Sequence, residues 1–159
     1  MKILHIITGL NVGGAENSLK NLLSSGVFNA MIVSLTSNGN VGKDIELMGY
    51  KVIALNLTLF NIPFVFLRLC RIIKGYKPDI VHTWLYHADF LGGLAAKIIG
   101  VKSIVWSIRT TELKKGSHIT SGIRKLLALL SDMIPDKVVV VAEKSKKKHI
   151  DLGYKSSKM

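Results

Sequence analysis

The sequence predicts an α/β domain in which helices cover both faces of a doubly wound, mostly parallel sheet. Apolar runs of strand length alternate with helix-length segments along almost the whole chain. Several runs, such as Val138 to Val141, are apolar at every position, which is typical of parallel strands buried on both faces. Right-handed crossovers then place helices on both faces of an open sheet. The 159 residues suit one domain with a substantial core.

The predicted elements alternate from one end of the chain to the other. Strands are expected over residues 2–8, 30–36, 51–55, 79–84, 102–108 and 137–142. Helices are expected over residues 14–25, 41–49, 63–74, 87–99, 117–134 and 143–152. Ligands of open parallel sheets bind outside the carboxyl ends of the strands. The loops that follow the strands are therefore the expected place for a functional site.

The loop after the first predicted strand carries the strongest local signal. Gly9, Gly13 and Gly14 lie between that strand and a helix with an apolar stripe. Free N–H groups at a helix N-terminus attract anions, and glycines let a phosphate or sugar approach the backbone closely. The spacing is not the dinucleotide fingerprint, and the second strand ends without a carboxylate, so a nicotinamide cofactor is disfavoured. The alternative is that Gly13 and Gly14 only permit a sharp turn.

Composition limits the class of protein and its surroundings. The 22 lysines and arginines against 10 acidic residues give a net charge of +12. Such a surplus favours a polyanion or an anionic membrane surface as partner. The single cysteine, Cys70, excludes an internal disulfide and suits a reducing compartment. The first residues predict a strand and not a signal peptide, and residues 57–73 are interrupted too often for a membrane span.

The fourth predicted strand runs into a patch of ring-bearing side chains. Trp84, Tyr86 and His87 end or follow the strand, and rings with hydrogen-bonding tips suit a sugar or a nucleoside. The alternative is that Trp84 and Tyr86 cover the edge of the core and that His82 is a satisfied strand histidine. The dipeptide Gly92-Gly93 lies in the next helix, where each glycine costs about 1 kcal/mol against alanine. Close packing of that helix on the sheet is the expected compensation.

The fifth predicted strand leads into Arg109, which is expected to emerge near the Gly13-Gly14 loop. A guanidinium there can clamp a phosphate through two parallel hydrogen bonds. Thr110, Thr111 and Glu112 come next and could hold the hydroxyl groups of a sugar. The alternative is a surface salt bridge between Arg109 and Glu112.

The helix predicted over residues 117–134 is expected to bury an apolar stripe and to leave cations outside it. The stripe consists of Ile119, Ile123, Leu126, Leu127, Leu130 and Ile134. Arg124 and Lys125 lie off the stripe, and with cations of an earlier helix they could form a basic face toward anionic phospholipid. Those earlier cations are Arg68, Arg71 and Lys74. The alternative is that these are ordinary solvated helix faces, as is the basic run over 144–148.

Other site chemistries have no signal in the sequence. The five histidines show no metal-ligand spacing, so no metal site is expected. A Gly-x-Ser-x-Gly nucleophile elbow and a P-loop lysine are also absent from the sequence. No motif that reads DNA is visible, and no nucleic-acid partner is expected.

Three segments, in the right order, resemble the N-terminal domain of the family 4 retaining glycosyltransferases of the GT-B fold. The first is Asn11-Val12-Gly13-Gly14-Ala15-Glu16, after the opening strand. The second is Pro78-Asp79-Ile80-Val81-His82-Thr83, followed by His87-Ala88-Asp89. The third is Val138-Val139-Val140-Val141-Ala142-Glu143-Lys144-Ser145, followed by His149-Ile150-Asp151-Leu152-Gly153-Tyr154. The resemblance covers nearly the whole chain.

This resemblance implies an enzyme that moves a sugar from a nucleotide sugar to an acceptor with retention, usually without a metal. The nucleotide sugar is then a co-substrate, and no cofactor is expected. The resemblance places Gly13 and Gly14 in a loop facing the donor diphosphate and makes the domain mainly acceptor-binding. The acceptor-binding residues we expect are Asn11, Trp84, Tyr86, His87, Thr110 and Glu112. Many members place a histidine where this chain has Arg109, which suits electrostatic stabilisation better than proton transfer.

The family pattern also includes a second domain, which carries the nucleotide pocket. We therefore expect residues 1–159 to form a single Rossmann-like N-terminal domain, without the C-terminal domain and inactive alone. Many members build cell-surface polysaccharide on a lipid carrier. A cytoplasmic protein, peripheral on the inner face of the membrane, with a glycan or lipid-linked acceptor and a separate C-terminal half as partners, fits that setting. Two other hypotheses are a non-catalytic module for a lipid-linked sugar or anionic membrane, and a polyanion-binding protein.

Overall fold

The computed structural model describes residues 1–26, 29–109 and 118–159. Its strands are β1 (Lys2–Ile7), β2 (Asn29–Ser34), β3 (Lys51–Ala54), β4 (Ile80–Trp84), β5 (Ser103–Ile108) and β6 (Lys137–Val140). Its helices are α1 (Gly14–Leu23), α2 (Gly39–Leu47), α3 (Ile62–Tyr76), α4 (Tyr86–Ile99), α5 (His118–Leu130) and α6 (Glu143–Asp151), followed by a short 3-10 turn, Ser156–Lys158. Each predicted strand and helix has its counterpart, with ends that differ by a few residues.

The strands form a parallel sheet in the order β3-β2-β1-β4-β5-β6. The chain moves outward from β1 to β3, returns to β4 and then moves outward on the other side. Since parallel crossovers are right-handed, α1 and α2 cover one face, and α3, α4 and α5 cover the other. The observed packing of α1 on α2, and of α3 and α5 on either side of α4, agrees with this arrangement. The predicted doubly wound sheet with helices on both faces is therefore confirmed.

The hydrophobic core lies on both sides of β1. Residues 3–7 are all buried, which explains why this strand is an almost unbroken apolar run. Leu4 and Ile6 belong to the larger core beneath α3, α4 and α5. Ile7 belongs to a smaller core beneath α1 and α2. The central strands thus hold the two helical layers at fixed positions over the carboxyl edge of the sheet.

The expected apolar stripe of α5 was partly wrong. Ile119 is 63% exposed and Leu126 is 40% exposed, whereas the buried side of the helix carries Leu127 and Ala128. Arg124 turns inward instead: its side chain hydrogen-bonds to Tyr86, and its backbone carbonyl accepts from the hydroxyl of Tyr154 at 3.2 Å. Arg124 is therefore not part of an outward basic face.

The dipeptide Gly92-Gly93 confirms the expected close packing of helix on sheet. A Cβ atom on Gly93 would lie 2.6 Å from Nε1 of Trp106 and 3.2 Å from Cγ2 of Ile134. A Cβ on Gly92 would lie 3.0 Å from side-chain carbons of Ile6 and Thr83. Hydrogen is therefore the only side chain that lets α4 approach β1, β4 and β5 this closely.

Replacing Gly93 by alanine is expected to lower the free energy of unfolding by about 1–3 kcal/mol, because the new methyl group overpacks the core against Trp106. Chemical unfolding in urea measures this change. Gly75→Ala in α3 is the matched control, because a Cβ there meets nothing within 4 Å. The control is expected to be neutral or to stabilise the domain by up to about 1 kcal/mol. Equal effects of the two substitutions would contradict the packing argument.

Candidate functional site

The candidate site lies at the carboxyl edge of the sheet, where β1, β4 and β5 end side by side. Ile7 pairs with Trp84, and Trp84 pairs with Ser107. The segments that continue from these strands therefore leave the sheet next to one another. This edge is also the switch point at which the strand order reverses, the usual ligand position in doubly wound sheets.

The connection from β4 to α4 is strained at this same edge. Leu85 has φ of 73° and ψ of 153°, a backbone conformation that glycine adopts far more readily than leucine. Its N–H donates to the carbonyl oxygen of Ser107 at 3.2 Å, and its carbonyl accepts from the N–H of Asp89 at 2.9 Å. These two hydrogen bonds fix a turn that costs about 1–3 kcal/mol. Strain of this kind at a switch point is an independent sign of a functional site.

The glycine loop connects β1 to α1 and leaves the helix N-terminus without a side-chain cap. Gly13 precedes the helix with an extended backbone, and its carbonyl accepts the N–H of Asn17 at 3.0 Å. A Cβ on Gly14 would meet nothing within 4 Å, so the space in front of the helix is open there. The Glu16 carboxylate lies against Gly13, so an incoming anion would have to displace it. Asn11 is exposed in the same loop.

At this edge, the side chain of Arg109 packs on a cluster of three rings. We call these rings, those of Trp84, His5 and His82, the stack. The guanidinium centre lies 4.7 Å from the centre of a Trp84 ring, and Nε donates to Oγ of Ser107 at 3.2 Å. Nε1 of Trp84 donates to Nδ1 of His5 at 3.2 Å, and the rings of His82 and Trp84 are 4.6 Å apart. Trp84 packs in the core beneath α1 and α2, which puts Arg109 on the side of the sheet that also carries the glycine loop. A tryptophan face attracts a guanidinium, so Trp84 orients Arg109.

Both histidines of the stack are held in the neutral form. Burial, helped by the neighbouring His82, lowers the pKa of His5 to about 3. Burial, helped by the charge of Arg109, lowers the pKa of His82 to about 4. Burial also lowers the pKa of Arg109, which nevertheless keeps its charge at neutral pH because guanidinium groups start so high. The guanidinium of Arg109 is therefore a cation that packs on uncharged rings.

An apolar groove of about 720 Å³ opens on the other side of the same edge. It is bounded by the loop between β3 and α3 and by the first turns of α4 and α5. Its lining residues are Leu57, Thr58, Leu59, Ile62, His87, Phe90, Leu91, His118, Ile119, Thr120 and Ile123. His87 is half-buried there, and burial lowers its pKa. The groove thus offers mostly hydrocarbon and a few polar groups, the usual chemistry of a small-molecule site.

The expected exposed platform of Trp84 and Tyr86 was wrong, because the two residues are only 1% and 4% exposed. The alternative, that both rings cover the edge of the core, matches the structure. Tyr86 forms a 2.7 Å hydrogen bond to Nε2 of His149. Nδ1 of His149 lies 2.7 Å from the carbonyl oxygen of Ser145 and must donate to it, so Nε2 accepts from the tyrosine hydroxyl. Tyr86 therefore ties the start of α4 to α6.

Asp89 also has a structural place. Thr83 donates to its carboxylate at 2.5 Å, and the side chain is fully buried. Burial raises the pKa of this carboxyl well above its usual range. The pair joins β4 to the first turn of α4, the two elements that flank the strained Leu85.

The remaining predicted site residues that the structure describes lie on two sides of the carboxyl edge. Gly13, Gly14 and Arg109 lie on one side of the edge, and His87 lies in the groove on the other. Thr110, Thr111 and Glu112 lie outside the described residues, as does the suggested salt bridge of Arg109 with Glu112. Within the ranges that the structure describes, no three histidine, cysteine or acidic side chains are grouped to hold a metal ion. Among those residues, no helix is long and apolar enough to cross a membrane.

The sequence reasoning missed the groove itself. Phe90 and Leu91 on α4 were part of an ordinary helical pattern, and Leu57 and Ile62 were part of an interrupted apolar stretch. The sequence feature that could have revealed the groove is the interruption of this stretch by Asn61 and Pro63. These two residues mark the beginning of α3 and so separate it from the loop that lines the groove.

The fold and this edge define a Rossmann-like α/β domain with a candidate ligand site at its switch point. The chain matches the family model of Glycosyltransferase Family 4 over residues 12–159. The chain therefore belongs to Glycosyltransferase Family 4.

Individual relatives extend the comparison. The chain is 26% identical over 151 residues to the capsular polysaccharide biosynthesis glycosyltransferase CapH of Staphylococcus aureus, covering 89% of this chain and 41% of CapH. It resembles the crystal structure of Anabaena Alr3699/HepE in complex with UDP, with a TM-score of 0.81 and 16% identity, over 99% of this chain and 42% of that one. It also resembles the apo lipopolysaccharide outer core galactosyltransferase WaaB, with a TM-score of 0.69 and 16% identity, over 99% of this chain and 44% of WaaB. The chain thus spans less than half the length of these relatives.

The neutral His82 makes the stability of the domain depend on pH. The unfolded chain takes up a proton at this side chain below about pH 6.5, whereas the folded chain does so only near pH 4. The contribution of His82 to the free energy of unfolding is therefore fully present above pH 6.5 and is lost as the pH falls toward 4. Between pH 7 and 5 this loss amounts to about 2 kcal/mol.

The test compares wild type with His82→Gln by urea unfolding at pH 7 and pH 5. The variant is expected to lose less stability over this range, and the difference isolates His82 from other titrating groups. His118→Gln, at an exposed position, is the control and should follow wild type. The same pH dependence in wild type and His82→Gln would show that His82 is not held neutral.

Proposed function

We propose that this chain is the acceptor-side domain of a glycosyltransferase that moves a sugar from a nucleotide sugar to a glycan or lipid-linked acceptor. The observation that carries the proposal is the family match over residues 12–159. The similarity to a capsular polysaccharide glycosyltransferase supports a role in cell-surface polysaccharide synthesis. The N-terminus of α1, which has no side-chain cap, the cation of Arg109 and the apolar groove supply chemistry suited to this reaction once Glu16 moves away from Gly13.

The donor diphosphate is assigned to the glycine loop and Arg109. The N–H groups at the start of α1 and the guanidinium both favour negative charge. When the bond between the sugar and the diphosphate breaks, negative charge grows on the leaving phosphate. A cation held in place by Trp84 and Ser107 stabilises that charge without rearrangement. Arg109 thus acts electrostatically, because a guanidinium is poorly suited to exchange protons.

The acceptor is assigned to the groove, with His87 as its polar contact. Asn11, Thr110 and Glu112 stay predicted acceptor residues. The buried Trp84 and Tyr86 act from beneath, by fixing Arg109 and the start of α4.

The reaction also needs a donor pocket, which we assign to a second domain or a separate partner chain. Support comes from the length comparison, because this chain covers 41% of CapH and 44% of WaaB. On this proposal the chain alone binds acceptor but does not transfer sugar, and it works at the inner face of the cytoplasmic membrane. The rival hypothesis is a non-catalytic module that holds a lipid-linked sugar, favoured by the apolar lining of the groove. Restored transfer on adding the second half separates the two.

Arg109→Ala is expected to lower the transfer rate at least about tenfold, or about 1.4 kcal/mol of barrier, because the growing phosphate charge loses its cation. The measurement is sugar transfer from a radiolabelled UDP-sugar by the chain together with its second half. Lys43→Ala, an exposed cation on α2, is the control and should leave the rate unchanged. An unchanged rate for Arg109→Ala would remove this residue from the site.

Leu91→Trp is expected to raise the acceptor KM several-fold and to leave the donor KM unchanged, because the larger ring fills the groove and not the glycine loop. Steady-state kinetics with each substrate varied in turn measures both values. Leu47→Trp, at an 87% exposed position on α2, controls for adding an indole. A rise in the donor KM alone would contradict the assignment of the groove to the acceptor.

A further inference from the structure

The outward face of α3 carries large apolar side chains that no other described residue covers. Phe60, in the preceding loop, is 96% exposed, Phe64 is 76% exposed and Leu67 is 54% exposed. Phe64 and Leu67 are three residues apart in α3 and lie on one side of it, and Phe60 lies just before the first turn of the helix. Val65, Leu69 and Ile73 form the opposite, buried side. An exposed apolar cluster of this kind marks an interaction surface.

Three cations continue the same side toward the end of the helix. Arg68, Arg71 and Lys74 are all exposed, and α3 contains no acidic residue. Arg68 follows Phe64 by one helical turn, and Arg71 follows Leu67 by one turn. We call these six residues, from Phe60 to Lys74, the α3 stripe. It is apolar at its beginning and cationic at its end.

We infer that the α3 stripe docks this protein on an anionic lipid bilayer. The phenylalanines and Leu67 enter the boundary between headgroups and acyl chains, and the arginines and Lys74 meet lipid phosphates. An apolar group beside cations, without intervening carboxylates, fits an anionic bilayer in both hydrophobicity and charge. The net charge of +12 adds attraction toward such a surface.

Charge disfavours a second copy of this chain as the occupant. The α3 stripe of a second copy offers no carboxylate to the three cations in any orientation, whereas an anionic bilayer offers a phosphate to each of them. Docking on a bilayer would also bring the groove close to the lipid, because Leu59 and Ile62 are near Phe60 in the chain and line the groove. The groove therefore opens beside the proposed lipid surface. The inference deepens the proposed peripheral location and does not depend on sugar transfer.

The experiment measures co-sedimentation of the whole chain with vesicles of phosphatidylglycerol or of phosphatidylcholine. One variant replaces Phe60, Phe64 and Leu67 by serine, and a second replaces Arg68, Arg71 and Lys74 by glutamine. The control variant combines Leu47→Ser with Lys43→Gln. It removes an apolar group and a cation that are both exposed on α2, on the other face of the sheet. Thermal unfolding checks that each variant is folded.

Wild type is expected to bind phosphatidylglycerol vesicles and to bind phosphatidylcholine much more weakly. Each triple variant should lower the partition coefficient at least about tenfold, and the control should match wild type. Raised salt should weaken wild type and should affect the glutamine variant less.

The inference fails if wild type does not bind phosphatidylglycerol, or if the α2 control loses as much binding as the triple variants. It also fails if light scattering shows a dimer that the serine variant abolishes while vesicle binding is unaffected. Vesicle binding without any sugar transfer on adding the second half would overturn the proposed function and leave this inference standing.

Discussion

The structure depends on one constraint, the burial of β1 beside β4 at the centre of the sheet. β1 is covered by helices on both faces, so even its polar residue, His5, must find a partner inside the core. Trp84 of β4 provides it through a 3.2 Å hydrogen bond. The same pairing aligns the ends of both strands, which places the glycine loop beside the strained turn at Leu85. The position of the candidate site therefore follows from how the core is closed.

Because the sheet separates two helical layers, the site has two different surroundings along one edge. The layer of α1 and α2 gives a small polar region with an uncapped helix N-terminus, the Glu16 carboxylate beside it and the cation of Arg109. The layer of α3, α4 and α5 gives an apolar groove. The proposed donor diphosphate and the proposed glycan or lipid-linked acceptor would need these two kinds of surroundings close together.

The sequence predicted the fold well because strand and helix periods are local properties. It predicted the surroundings of the site less well, because these depend on contacts far apart in the chain. Tyr86 was expected to offer its ring to a sugar or to cover the edge of the core; it is buried, and its hydroxyl hydrogen-bonds to His149, 63 residues later. On α5, Ile119 and Leu126 are exposed, and Arg124 turns inward toward this same cluster. Phe60 and Phe64 look like core residues in sequence, and only the arrangement of neighbouring helices leaves them exposed.

The stack beneath Arg109 explains why this position can carry an arginine. Arg109 stands over Trp84 and beside His82, whose pKa is lowered to about 4 by burial and by the charge of Arg109 itself. An arginine at this place keeps its charge despite burial, and the tryptophan face offsets part of the cost of desolvation. The neutral rings and the permanent cation thus act together: they hold a positive charge at a fixed point of the carboxyl edge.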